Sequence, residues 1–148
     1  MSMNAVNFFT KEQKELITSA VKQAELNTSG EIRVHLDNRC REDVMDRAAW
    51  WFAKLEMHKT EQRNGVLFYL AVRDRKFAIL GDAGINAVTP ENFWDGIKEK
   101  MAEHFAAGDF SGGLREGILE AGEALKSHFP HQADDINELP DDISFGSK

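Results

Sequence analysis

Two apolar runs joined by a polar turn dominate the chain between Asn64 and Asn86, NGVLFYLAVRDRKFAILGDAGIN. Val66 to Val72 is apolar at positions falling on both faces, the pattern of a central strand whose sheet is covered on both sides. Lys76 to Leu80 supplies the return strand of a hairpin, and the chain leaves it through Gly81-Asp82-Ala83-Gly84. Upstream, Glu31 to Leu36 alternates strictly, with Ile32, Val34 and Leu36 on one face and Glu31, Arg33 and His35 on the other. That alternation predicts a half-exposed strand towards a sheet edge.

Four segments carry helical periodicity. Thr10-Lys11-Glu12-Gln13 is a capping box behind Phe8 and Phe9, which are placed to act as a hydrophobic staple. The helix it opens aligns Leu16, Ile17, Ala20, Val21 and Ala24, and stops near Asn27-Thr28-Ser29-Gly30. From Glu42 to Leu55 a second helix presents Met45, Ala48, Trp51, Phe52 and Leu55 to a core. Thr89-Pro90 predicts the start of a third, with Thr89 as N-cap, proline at the first helical position and a stripe of Phe93, Trp94, Ile97, Met101 and Phe105. Gly108 then stands where a left-handed C-cap belongs. The fourth helix, about Ser111 to His128, carries Leu114, Ile118, Ala121 and Leu125, with Asp109 or Ser111 as its cap. Gly112-Gly113 would admit another backbone or a ligand closely.

The order helix, strand, helix, strand, strand, helix, helix predicts an α/β fold: a three-layer α/β/α sandwich around a small mixed sheet. A right-handed crossover over residues 31–72 makes the first two strands parallel, and the hairpin makes the third antiparallel to them. Glu31, Asn64-Gly65 and Gly81-Asp82 then fall at one edge of the sheet, with Asp37 and Asp74 at the other. At 148 residues the chain reads as one domain over 1–130. A chain of this size buries roughly 68–70% of its unfolded surface, so no disulfide or structural metal is needed. After Pro130, HQADDINELPDDISFGSK is acidic, poor in apolar residues and broken by Pro140, and reads as a flexible or loosely docked tail over 131–148.

Net charge of −7 disfavours nucleic acid and anionic lipid as partners. There is no secretory leader pattern and no apolar run near the ~20 residues of a membrane span, so a cytoplasmic, soluble protein without membrane insertion is expected. Cys40, the single cysteine, reads as a surface thiol between Arg39 and Arg41. His35 and His104 read as surface residues, and His128 with His131 stands too loosely for zinc. In Trp50-Trp51 successive helical positions point about 100° apart, so one ring is core and the other half exposed. No Ser/His/Asp grouping and no nucleophile elbow is discernible.

Gly81-Asp82-Ala83-Gly84 does not read as a phosphate loop, because Ile85 to Val88 intervenes before a helix, no lysine is present and Asp82 repels anions. Asp82 with Glu31 and the side-chain carbonyl of Asn64 makes a set of hard oxygen ligands suited to calcium or magnesium. A plain turn closed by the glycines is the competing reading.

Ser29-Gly30-Glu31-Ile32-Arg33-Val34, Asn64-Gly65-Val66-Leu67, Arg75 to Ile79 leading into Gly81-Asp82-Ala83-Gly84-Ile85, and Phe105…Gly108-Asp109-Phe110-Ser111-Gly112-Gly113-Leu114 with Gly117-Ile118 occur in that order. This ordered set, over about residues 10–128, resembles the TPM domain family. That family includes thylakoid-lumen proteins tied to photosystem repair and described as acid phosphatases. The resemblance implies an α/β/α sandwich, divalent-cation binding and a phosphatase activity, and carries over Glu31, Asn64, Asp82 and Asp109 as groove residues. Lacking a leader or anchor pattern, the chain resembles a free-standing version. Two functions follow as expectations. One is a Ca²⁺- or Mg²⁺-binding interaction or regulatory module with an unidentified protein partner. The other is a metal-dependent phosphomonoester hydrolase acting on a phosphorylated substrate, with Glu31 or Asp109 as base.

Overall fold

A computed structural model describes residues 4–130 and 142–146. Helix α1 spans Lys11–Glu25, and its capping box is present in both directions: Gln13 N–H donates to Thr10 Oγ1 and Thr10 N–H to Gln13 Oε1. It leads into β1 (Glu31–Asp37), α2 (Val44–Lys54), a 3₁₀ turn at Met57–Lys59, β2 (Gly65–Ala71) and β3 (Lys76–Gly81). Then follow α3 (Ala83–Val88), α4 (Phe93–Ala106), α5 (Phe110–His128) and β4 (Ser144–Phe145). The sheet order is β3-β2-β1-β4. β1 runs parallel to β2 and β2 antiparallel to β3, as the crossover and the hairpin require.

One face of the sheet, built from Ile32, Val34 and Leu36 with Val66, Phe68 and Leu70, packs beneath α1, α4 and α5. The other face packs beneath α2 in two smaller clusters, Tyr69, Ala71 and Ala78 around Ala48, and Leu67 around Phe52 and Met57. Three layers result, and β2 is buried along its whole length. Gly108 takes φ +81 just after α4, the left-handed stop that its position predicts.

Five expectations need correction. β1 is an inner strand, and Glu31, His35 and Asp37 on its polar face are all buried. Alternation reports polarity, and polarity equals exposure only where the polar groups lack internal partners. Cys40 is buried, not a surface thiol, with Sγ donating to Glu42 O at 3.3 Å. A helix begins immediately after Asp82, so Ile85 to Val88 is not a connecting loop. The Thr89-Pro90 pair therefore ends α3 rather than starting α4; Thr89 Oγ1 donates to Ile85 O at 3.0 Å, and α4 begins at Phe93. Leu16 and Met45 are exposed rather than core, since the apolar stripe on each helix is narrower than its periodicity allows.

Ser144 and Phe145 pair in parallel with His35 and Leu36, which gives part of the acidic tail a place on the sheet. Residues 131–141 and 147–148 of that tail lie outside the described residues.

Candidate functional site

Strand register brings the start of β1, the start of β2 and the end of β3 to one edge: Glu31 lies opposite Gly65, and Val66 opposite Gly81. The loop before β2 is stitched to both neighbours. Glu31 N–H donates to Asn64 O at 3.4 Å, Asp82 N–H to Gly65 O at 2.9 Å, and Gly84 N–H to Arg63 O at 2.7 Å. To make these contacts Arg63 takes φ +52, a conformation costly for a residue with a side chain. Gly84 is required by the same approach: a Cβ there would lie 2.1 Å from Gln62 O and 2.5 Å from Arg63 O.

The side chains at this edge form two hydrogen-bonded groups, Asp82 with Arg63 and Asn64 with Ser29 and Gln62. Asp82 caps α3 by accepting from Ala83 N–H at 2.7 Å. Its carboxylate also receives a two-pronged contact from Arg63, Nε to Oδ2 at 2.7 Å and Nη2 to Oδ1 at 2.8 Å. Hydrogen bonding to that carboxylate raises the Arg63 pKa above its ordinary value. Asn64 Nδ2 donates to Ser29 Oγ at 3.2 Å, and Gln62 Nε2 donates to the same hydroxyl oxygen at 3.0 Å. Asn64 is 1% exposed, yet its Oδ1 has no hydrogen-bond partner among the described residues. Glu31 is buried and lies opposite Gly65 in the strand register, one residue on from Asn64. Nothing in the sequence marks Arg63 and Gln62 as members of this edge beyond their place directly before Asn64, and Ser29 stands there as part of the helix stop.

Asp109 does not join this cluster. It caps α5, accepting from Gly112 N–H at 3.1 Å, and pairs with His104 at 3.1 Å. Phe110 beside it lies under the Arg75 guanidinium of the hairpin turn, whereas Leu125 at the far end of α5 packs against Gly30. Nineteen helical residues, about 28 Å, separate the two ends. Asp109 therefore sits by the hairpin turn and Asp82 at the opposite end of the sheet.

The donors Glu31, Asn64 and Asp82 suit a hard cation in kind: two carboxylates and one amide oxygen that lacks a partner. Both Asp82 oxygens are engaged by Arg63, so a cation there would share or displace the guanidinium. Among the described residues no group of three or more His, Cys, Asp and Glu side chains is placed to hold a metal ion.

A second polar network fills the α2 face near the opposite end of β1. Asp37, fully buried, accepts from Tyr69 OH at 2.6 Å, Trp51 Nε1 at 2.9 Å, Arg47 Nε at 3.3 Å and His35 Nε2 at 3.0 Å. His35 Nδ1 meets Ser144 Oγ at 2.7 Å, and the His35 ring stacks on Trp51 at 3.7 Å. A Ser/His/Asp chain therefore exists where the sequence showed none, because Ser144 belongs to the segment read as tail. His35 is fully enclosed, against the expectation of a surface residue.

Burial lowers the His35 pKa more than the Asp37 contact raises it, and Arg33 and Arg47 push in the lowering direction too. Burial would raise Asp37, but bonds from His35, Tyr69 and Trp51 outweigh it and hold that carboxyl below its usual range. Burial, then the Asp37 bond, pushes Tyr69 upward. The resting state is thus neutral His35, donating to ionised Asp37 and accepting from Ser144. A lowered histidine pKa contributes stability above the unfolded value of about 6.5 and loses it as pH falls through the folded value. The urea midpoint is expected to fall between pH 7 and pH 5, and a His35→Gln chain to show a smaller slope over that window. A wild-type midpoint that rises on acidification would contradict a neutral, buried His35.

Fold and edge cluster together define a small α/β/α domain whose acidic sheet edge is closed by an arginine. The TPM domain profile matches residues 3–124, and the chain belongs to this family. The NMR structure of BA42 protein from the psychrophilic bacterium Bizionia argentinensis is similar at 48% identity and TM-score 0.88, covering 95% of this chain and 97% of that one. The N-terminal domain of a P. gingivalis protein matches at TM-score 0.69 and 20% identity, over 85% of this chain and 83% of that chain. The N-terminal domain of the cg2496 protein from Corynebacterium glutamicum matches at 0.65 and 13%, over 88% and 81%. These last two share the fold. No curated protein matches the chain. Among the described residues no helix is long and apolar enough to cross a membrane.

Proposed function

We propose that the chain is a divalent-cation-binding interaction module, with calcium or magnesium received at the Glu31, Asn64 and Asp82 edge. The observation that carries this reading is the buried Asn64 Oδ1 without a hydrogen-bond partner among the described residues. Leaving such an oxygen unpaired costs about 1–3 kcal/mol, and a hard cation would repay that cost in kind. Bound there, the ion would supply positive charge between two buried carboxylates, one at the start of β1 and one capping α3. The chain's own residues do the rest: Ser29 and Gln62 orient the Asn64 amide, and Arg63 balances Asp82 in the absence of the ion. Asp109 has no part in it. The module's outer surface includes Trp50, 48% exposed and flanked by the Arg47 guanidinium at 4.7 Å and Lys54 Nζ at 5.9 Å.

Calorimetric titration with calcium chloride tests this reading. Saturation a hundredfold above the dissociation constant is expected to add ~2.7 kcal/mol of stability, with both heat and stabilisation lost in Asp82→Asn. Asn64→Asp places a third carboxylate at the edge; it is expected to destabilise the cation-free protein and to make its melting temperature rise further with calcium. No heat and no melting shift for the wild type with either cation would sink the proposal.

One observation favours the hydrolase as a second reading. Arg63 reaches the acidic edge with its side chain 52% exposed, and a guanidinium released from Asp82 is suited to phosphate. Hydrolysis of an aryl phosphate in magnesium, lost in Arg63→Ala, would select it over the module.

A further inference from the structure

We propose that the outer edge of β1 is a peptide-docking groove for an extended segment of another protein that reads acidic–apolar–hydroxyl–aromatic–glycine. The chain's own residues Asp142 to Gly146 are its resident ligand. This deepens the interaction-module reading by naming the partner's chemistry, and it does not depend on a cation.

The resident segment shows what the groove recognises. Ile143 packs against the large core on the α1 side of the sheet. Ser144 turns to the other face, where its hydroxyl meets His35 Nδ1 at 2.7 Å and Val34 O at 3.3 Å. Phe145 lies on the α1 side again, its ring 5.5 Å from Lys14 Nζ. Gly146 N–H donates to Leu36 O at 2.8 Å. No larger residue fits at Gly146, since a Cβ there would lie 1.7 Å from Asp37 Oδ1 and 3.2 Å from Trp51 Cζ2. An acidic residue two positions before the serine is also favoured. Arg33 carries a buried Nε with no hydrogen-bond partner among the described residues, and Asp142 is near enough to oppose the lowering of its pKa by burial.

Groove length is bounded as well. Glu25 Oε2 accepts Ile32 N–H at 2.8 Å, so a carboxylate covers the edge where further strand pairing would begin. Within that bound the resident strand pairs, among the described residues, only with His35 and Leu36. Main-chain pairing at a sheet edge with alternate side chains in pockets is the general mode of strand addition. A ligand tethered to its own groove enjoys a millimolar effective concentration, so so short a strand stays home until a better competitor arrives.

The test uses the full chain in EDTA and a fluorescein-labelled peptide of the sequence DDISFGSK. Gly146→Val evicts the resident segment. The variant is expected to bind the peptide at least about tenfold more tightly than wild type does, as loss of a competing tether implies. Peptides with serine replaced by alanine, or glycine by valine, are expected to bind the variant about tenfold more weakly, the scale of one buried hydrogen bond or a steric clash. A folded variant that ignores the peptide, or binds all three peptides equally, overturns the proposal. A dimer of the variant that excludes the peptide gives the groove to a second copy and overturns it too. Should the variant not fold, hydrogen exchange of the wild-type Gly146 amide decides. Exchange well below the global unfolding free energy supports a segment that can leave, and exchange only by global unfolding refutes it. Calcium binding without peptide binding would remove this proposal while leaving the cation reading intact.

Discussion

Asp37→Ala is expected to cost about 3–5 kcal/mol of folding stability, the range for removing one partner from a buried ionic cluster. Tyr69, Trp51 and His35 would each keep a polar hydrogen aimed at an empty volume, and Tyr69 and His35 are fully buried. Arg47 is the exception, since its side chain retains some exposure and can turn outward. Typical domains hold only 5–15 kcal/mol in total, so the substitution is expected to leave the chain marginal. Urea unfolding followed by Trp fluorescence would show a lower midpoint at an unchanged slope. A loss below about 1 kcal/mol would mean that the network is replaceable by water.

Gly84→Ala is the second large effect, expected at about 2–3 kcal/mol, near the top of the range for overpacking. The atoms that an alanine Cβ meets are the main-chain carbonyl oxygens of Gln62 and Arg63, which cannot swing aside as a side chain would. Relief requires α3 to part from the 60–64 loop, which would also separate Arg63 from Asp82 and weaken any calcium response. Gly96→Ala is the matched control. It lies in exposed helix with nothing within 4 Å of the added carbon, and is expected to stabilise by about 0.5–1 kcal/mol. Equal effects at the two glycines would show that helix propensity, not the close approach, governs Gly84.

Much of this architecture was legible because neighbouring residues announce it. The capping box at Thr10, the left-handed stop at Gly108 and the apolar run of β2 each follow from local chemistry, and the parallel pairing of β1 with β2 follows from the helical connection between them. The same reasoning placed Glu31, Asn64 and Asp82 at one edge, since strand direction alone decides that. It could not place Asp109, whose position depends on the turn through α3 and on the direction of α5. Arg63 was missed because its role rests on a positive φ that only tertiary contacts enforce. The His35–Asp37 network was missed for a different reason. Its polar residues alternate like a solvated face, and the groups that satisfy them come from α2, β2 and β4.

Two of those contributors reach the network over very different lengths of chain. Tyr69 is 32 positions from Asp37, whereas Ser144 is 109 positions from His35. Closing the longer loop costs about 1 kcal/mol more chain entropy, and it rewards the chain with a strand of only two residues. β1 and β2 are therefore expected to join first and bring Tyr69 to the carboxylate, with β4 docking on the sheet afterwards. A segment docking late at Ser144 would contribute little to the speed of folding and would mainly hold back the reverse step, as a latch does.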